Sequence, residues 1–120
     1  MNPRKTPTTG VAEPSPRLAD EAEFEQTIFA AELGDAPSVD LHGLDRIDAI
    51  RELDAYIASE AARGTEAIEI IHGRGSGTLR QAVRAHLASH PLIALHRDAS
   101  HPGKQGGVMY AALYDARKRT

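Results

Sequence analysis

The chain contains no cysteine. That excludes disulfides, thiolate catalysis and a cysteine-ligated zinc knuckle, and it fits a reducing compartment, so a cytoplasmic location is expected. Long hydrophobic runs are missing too: no apolar stretch approaches the roughly 20 residues that span a bilayer, and no membrane partner is expected. The first residues, MNPRKTPTTGVAEPSPRL, lack the apolar core of a secretory signal. Positive charge is not in excess, since 14 basic residues face 17 acidic ones for a net charge of −3. This argues against a broad basic footprint for a polyanion.

The charge is unevenly spread. Residues 1–38 hold three basic and seven acidic side chains, leaving 11 basic and 10 acidic in residues 39–120, together with all six histidines. The compact part is therefore about neutral and able to bind phosphates locally. At 120 residues the chain has room for one modest core.

Three regions follow from patterning. Residues 1–37 read as an N-terminal extension, with a Pro/Thr/Ser-rich disordered tail over 1–18 and a short helix over 20–33 carrying Phe24, Ile28 and Phe29. Residues 38–114 form the domain proper, and 115–120 (DARKRT) are a basic, solvated tail. Val39 and Leu41 alternate with Asp40 and His42, which predicts a strand. A helix over 45–63 has the stripe Ile47, Ile50, Leu53, Ile57 and Ala61, with Gly64 as its stop. EAIEII (66–71) is a second strand. A second helix begins near Thr78, read as its N-cap, and SHP (89–91) ends it. LIALHR (92–97) and VMYAALY (108–114) are strands separated by a polar loop. The order βαβαββ predicts an α/β two-layer sandwich: a four-stranded mixed sheet with two helices on one face.

The stretch IEIIHGRGSGTL (68–79) has the strand, glycine loop and helix start of a phosphate-binding element. Its spacing, Gly73-x-Gly75-x-Gly77, is not that of a dinucleotide fingerprint, and no acidic residue stands between Glu69 and Asp98. Nor does a Lys-Ser/Thr pair follow Gly77, as a Walker A loop requires. What remains is a set of backbone N–H groups, Ser76, a helix N-terminus and the Arg74 guanidinium, suited either to a phosphodiester or simply to a tight βα turn. In DLHG (40–43), Asp40 and His42 share one face of a strand end, where a carboxylate can orient an imidazole as a general base. A turn-forming Asp beside a surface His is the bland alternative. If the two strands are parallel neighbours, Asp40, His42 and Gly43 meet His72, Gly73 and Arg74 at one sheet edge, where ligands of such sheets bind.

Other features carry less. His86 and His90 have i, i+4 spacing, but no carboxylate with suitable spacing accompanies them, so no metal site is assigned. His96 and His101 have no clear partner in the sequence. Tyr110 and Tyr114 share a strand face and are read as packing residues rather than base-stacking ones.

From about Ser38 to Leu113, two-thirds of the sequence, the chain resembles the Smr (small MutS-related) domain. The resemblance rests on VDLHGL, on IIHGRGSGTLRQAVRAHLASHP and on a glycine pair before the last strand. It implies a fold like the C-terminal domain of bacterial translation initiation factor 3. It also implies an endonuclease that nicks DNA or cleaves RNA, with nucleic acid as partner and in some cases the ribosome. Asp40 and His42 match the D-x-H pair assigned to catalysis; His72, Gly73, Arg74 and Gly75 match the H-G-x-G loop assigned to substrate contact. Many members continue the last motif as roughly G-G-x-G, whereas here Gly106 and Gly107 open GGVMY.

The expected chemistry is general acid–base cleavage by Asp40, His42 and His72. Substrate is held by Gly43, Gly73, Arg74, Gly75, Ser76 and Gly77, with Gly106 and Gly107 as a second close approach. No cofactor is required; a divalent metal is compatible with the scheme but not indicated. Two alternatives stand beside it. One is a non-catalytic module that binds nucleic acid or ribosomes, and the other is an interaction adaptor that docks its partner through the leader helix.

Overall fold

The computed structural model describes residues 16–114. Seven elements follow in order: α1 (Pro16–Leu33), β1 (Ser38–Asp40), α2 (Arg46–Ala62), β2 (Ala67–Ile71), α3 (Thr78–Ser89), β3 (Ile93–Asp98) and β4 (Val108–Leu113). The expected tail over 1–18 falls outside the described residues up to 15, as does the basic stretch 115–120. Residues 16–18 do not continue that tail: they are helical, and α1 begins four residues earlier than the sequence suggests. Pro16 suits this start, because the first helical N–H has no intrahelical acceptor to lose.

The sheet order is β1-β2-β4-β3. β1 runs parallel to β2, while β4 runs antiparallel to both β2 and β3. β1, β2 and β3 therefore all point the same way, and β4 is inserted between β2 and β3 in the opposite sense. This topology gathers the carboxyl ends of three strands, and the start of the fourth, at one edge. The β1–β2 register pairs Asp40 with Ile71, so the residues that follow each strand emerge side by side.

Alternation along β4 builds two cores. Met109, Ala111 and Leu113 face α2 and α3, where they join Leu41, Leu53, Ile57, Ile68, Ile70, Val83 and Leu87. Val108, Tyr110 and Ala112 face the other way and pack with Ile28, Ala99 and, less deeply, Phe24. The βαβαββ part is thus the expected two-layer sandwich, and α1 adds a third layer on the opposite sheet face. The leader helix is an internal part of the fold because Ile28 is completely buried there.

Two local expectations are corrected. The buried stripe of α2 is Ala49, Leu53, Ile57 and Glu60, whereas Ile47 is 67% exposed. Spacings of four, four and three follow the 3.6-residue repeat, and Ile47 lies off that line. Asp45, rather than a helical residue, is the α2 N-cap, its carboxylate accepting the Asp48 N–H. For α3 the N-cap is Gly77 at φ 94°, not Thr78, and no side chain caps the helix. A left-handed φ is readily adopted only by glycine.

Candidate nucleic-acid cleavage site

The strand-end edge carries a cleft of about 430 Å³ lined by residues 42–46 and 72–80. One wall is the β1–α2 turn and the other is the glycine loop running into α3. Among the residues singled out from sequence, His42, Gly43, His72, Gly73, Arg74, Gly75, Ser76 and Gly77 all line it.

Asp40 stands behind His42 rather than in the wall. Its Oδ1 lies 2.6 Å from His42 Nδ1 and accepts the His42 backbone N–H at 3.1 Å. A carboxylate accepts only, so Nδ1 carries the proton and a neutral His42 presents the lone pair of Nε2. The side chain of His42 is 68% exposed. The hydrogen bonds from His42 hold the Asp40 carboxyl below the usual carboxylate range, keeping it ionised as an orienting group.

His72 is arranged differently. Only 3% of it is exposed, and its Nδ1 donates to the Gly73 carbonyl at 2.9 Å. Nε2 is buried with no hydrogen-bond partner among the described residues. Burial pushes the His72 pKa down, with the Arg80 and Arg84 charges adding to the effect against Asp98. The ring sits beneath the loop with its Nδ1 bonded to the Gly73 carbonyl.

Arg74 reaches across to the β3–β4 loop, where Nε donates to Gln105 O at 2.9 Å and Nη2 to Gly103 O at 2.7 Å. These acceptors are neutral carbonyls, and among the described residues no carboxylate pairs with the guanidinium; three of its five donors lie outside these two bonds. Gly106 and Gly107 do not line the cleft; they back it. The Gly107 carbonyl accepts from both His72 N and Gly73 N, at 2.9 and 3.0 Å. A Cβ on Gly107 would sit 3.2 Å from Arg74 Cγ. The glycine pair thus lets two loops pack together.

The loop they belong to is fastened from three sides. Besides Arg74, the Glu32 carboxylate of α1 accepts Ser100 N and His101 N at 2.6 and 2.8 Å. Lys104 donates to Glu69 at 2.8 Å and to Tyr110 at 3.0 Å, which drives the lysine pKa up. His101, which had no sequence-evident partner, accepts the Gly103 N–H at Nδ1.

Arg46 and Arg80 were not singled out from sequence, yet both line the cleft. Arg80, in the first turn of α3, donates to Asp98 at 2.6 Å, and Arg84 donates to the same oxygen at 3.0 Å. Asp98 ends β3 at the same sheet edge, and these two arginines keep its pKa low against its burial. The signal for Arg80 was its place three residues beyond the Gly77 cap. Three arginines, an uncapped helix N-terminus and an oriented imidazole thus surround one cleft, an arrangement able to hold a phosphodiester and take a proton beside it.

The Smr domain profile matches residues 39–114. The crystal structure of the Smr domain of Thermus thermophilus MutS2 superposes with a TM-score of 0.62 at 34% identity, covering 65% of this chain and 98% of that one. YdaL, a stand-alone small MutS-related protein from Escherichia coli, shares the fold with a TM-score of 0.62 at 21% identity, over 73% of this chain and 75% of that one. Endonuclease MutS2 of Caldicellulosiruptor saccharolyticus is 38% identical over 78 residues, which are 65% of this chain and 10% of that protein. Endonuclease MutS2 of Aquifex aeolicus is 31% identical over 114 residues, 95% of this chain and 14% of that protein. The chain spans only about a tenth of the length of such relatives.

Proposed function

This chain belongs to the Smr domain family, and on that premise we propose that it is an endonuclease cleaving RNA or structured DNA in the strand-edge cleft. The observation that carries the reading is the Asp40–His42 pair, 2.6 Å apart, set on the wall of a cleft with three arginines. The names of the MutS2 relatives, all endonucleases, support the reaction class.

In RNA cleavage, His42 Nε2 takes the proton of the 2′-hydroxyl as O2′ attacks phosphorus and the P–O5′ bond breaks. The protonated ring then returns that proton to the leaving O5′, directly or through water. For DNA the same nitrogen deprotonates a water as its oxygen attacks phosphorus, one P–O ester bond breaks, and the proton passes to the leaving sugar oxygen, directly or through water. Asp40 holds the tautomer and balances the imidazolium. Arg74, Arg46 and the first N–H groups of α3 stabilise charge developing on the phosphoryl oxygens. His72 acts as a positioning residue, since its proton is committed to Gly73 O. The scheme needs no metal ion, so cleavage is expected to continue in EDTA.

The experiment is cleavage of a labelled single-stranded RNA and a branched DNA by the wild type and by Asp40→Ala/His42→Ala. Loss of cleavage in the double variant with retained binding supports the assignment, and equal cleavage sinks it.

A second reading is a non-catalytic module gripping nucleic acid or the ribosome. The burial of His72 favours it, because His42 is then the one accessible imidazole of the cleft among the described residues. It predicts salt-sensitive binding without turnover. For an adaptor docking through the leader helix, the Ile28 side of α1 is covered by the sheet, which leaves Phe29 and Leu33 as its exposed large apolar residues.

A further inference from the structure

His86 and His90 lie one turn apart at the C-terminal end of α3, far along the helix from the cleft. The sequence offers them no nearby carboxylate, but the fold brings one from α2. Asp54 Oδ1 lies 3.2 Å from His86 Nε2 and 3.0 Å from His90 Nε2. One potential ligand atom from each of the three residues falls within 4.8 Å of the others. The side chain of His90 is 9% exposed and that of His86 24%, while Asp54 is 60% exposed. The rings meet edge to face, with centroids 5.3 Å apart. Two imidazoles are therefore fixed on the floor and a carboxylate closes them from the solvent side.

We propose that Asp54, His86 and His90 bind a divalent transition-metal ion of the zinc class, clipping α2 to the end of α3. Zinc–nitrogen and zinc–oxygen bonds of about 2.0–2.1 Å at tetrahedral angles put neighbouring ligand atoms about 3.3 Å apart. Both oxygen–nitrogen separations are already near that value. Two nitrogens and one oxygen suit zinc, cobalt or nickel rather than magnesium or calcium, which prefer all-oxygen sets. The fourth position faces solvent beside Asp54 and takes water.

Binding rearranges protons. Without metal, His90 Nδ1 accepts the Leu92 N–H at 3.1 Å, so its proton is on Nε2 and points to Asp54. Metal at Nε2 moves that proton to Nδ1 and gives up the Leu92 bond. The end of α3 and the turn into β3 therefore respond to the ion, and this lost bond weakens the site relative to one with both imidazoles unengaged.

The test is titration of the metal-free, untagged chain with Co²⁺, followed by visible absorption and competed with Zn²⁺. The expected result is one equivalent of Co²⁺ with the intense band of a four- or five-coordinate site, displaced by Zn²⁺. Asp54→Asn and His86→Gln, at the more exposed positions, should each weaken affinity at least tenfold with far-UV circular dichroism unchanged. A Zn²⁺-dependent rise in wild-type Tm gives a readout needing no variant. A wild type that shows neither the Co²⁺ band nor the Tm rise overturns the proposal. So does binding that survives both substitutions, or binding lost in His42→Ala instead.

Discussion

Gly73 and His42 touch across the β1–β2 edge: a Cβ added to Gly73 would lie 3.1 Å from the Cβ of His42. The contact joins the two sequence motifs physically, so the glycine loop and the candidate base meet where the two walls of the cleft join. Gly73 also has φ 84°, where a non-glycine residue costs about 1–3 kcal/mol. Gly73→Ala is predicted to lose about that much stability and to displace His42. Chemical denaturation together with the single-turnover cleavage rate checks both effects.

Removing the orienting carboxylate should harm chemistry more than folding. Asp40 is half exposed, so Asp40→Asn is expected to leave Tm nearly unchanged. The cleavage rate should fall by about 100-fold, within the range that positioned acid–base groups contribute. His42→Ala should fall at least as far, and the double variant little further, because the two act as one unit. A double-mutant cycle on the rate measures this.

Burial of His72 and His96 predicts a pH dependence of stability. Both pKa values are pushed below the ordinary 6.5, burial being the largest cause in each. The unfolded chain therefore binds more protons than the folded one between the lowered values and 6.5, so stability falls as pH drops through that window. Tm measured from pH 7.5 to 5 should decline, and His72→Gln should flatten the decline.

Asp98 holds Arg80 at the cleft by a 2.6 Å ion pair while standing outside the cleft lining itself. Both ion pairs are about a third to a half exposed, so Asp98→Asn is expected to cost only about 1 kcal/mol of stability. With Arg80 no longer anchored, binding to an uncleavable oligonucleotide should weaken severalfold while the rate at saturation changes little. Fluorescence anisotropy beside single-turnover kinetics separates the two.

The leader helix yields a prediction opposite to that of a dispensable arm. Ile28 is fully buried against β4, so Ile28→Ala should cost about 2–5 kcal/mol, whereas Phe29→Ala, at a 59% exposed position, should cost little. Thermal melts distinguish them. Deleting residues 1–36 would uncover Tyr110 and Ala112 and is expected to cause aggregation.

The strands, both domain helices and the pairing of DLHG with HGRG were legible because each is written in local periodicity or adjacent motifs. What was not legible came from long-range contacts. Alternation in VMYAALY shows two apolar faces, but nothing local says that α1 covers one of them. The choice of Gly77 over Thr78 as cap depends on a backbone angle set by loop packing. His72 reads from sequence as a second acid–base group, and its depth and its bond to Gly73 O come from packing that no local pattern shows. Asp54 is 32 residues from His86, so no spacing rule joins them.

The central claim is that Asp40 and His42 cleave a phosphodiester rather than merely grip it. Its most direct test is the single-turnover cleavage of end-labelled RNA at saturating protein, comparing wild type with Asp40→Asn and His42→Ala and identifying the product ends. The account predicts a 2′,3′-cyclic phosphate product from the wild type and rates about 100-fold or more lower in both variants, with binding retained. Equal rates in all three proteins, or RNA that is bound by the wild type and never cut while branched DNA is also left intact, would contradict it.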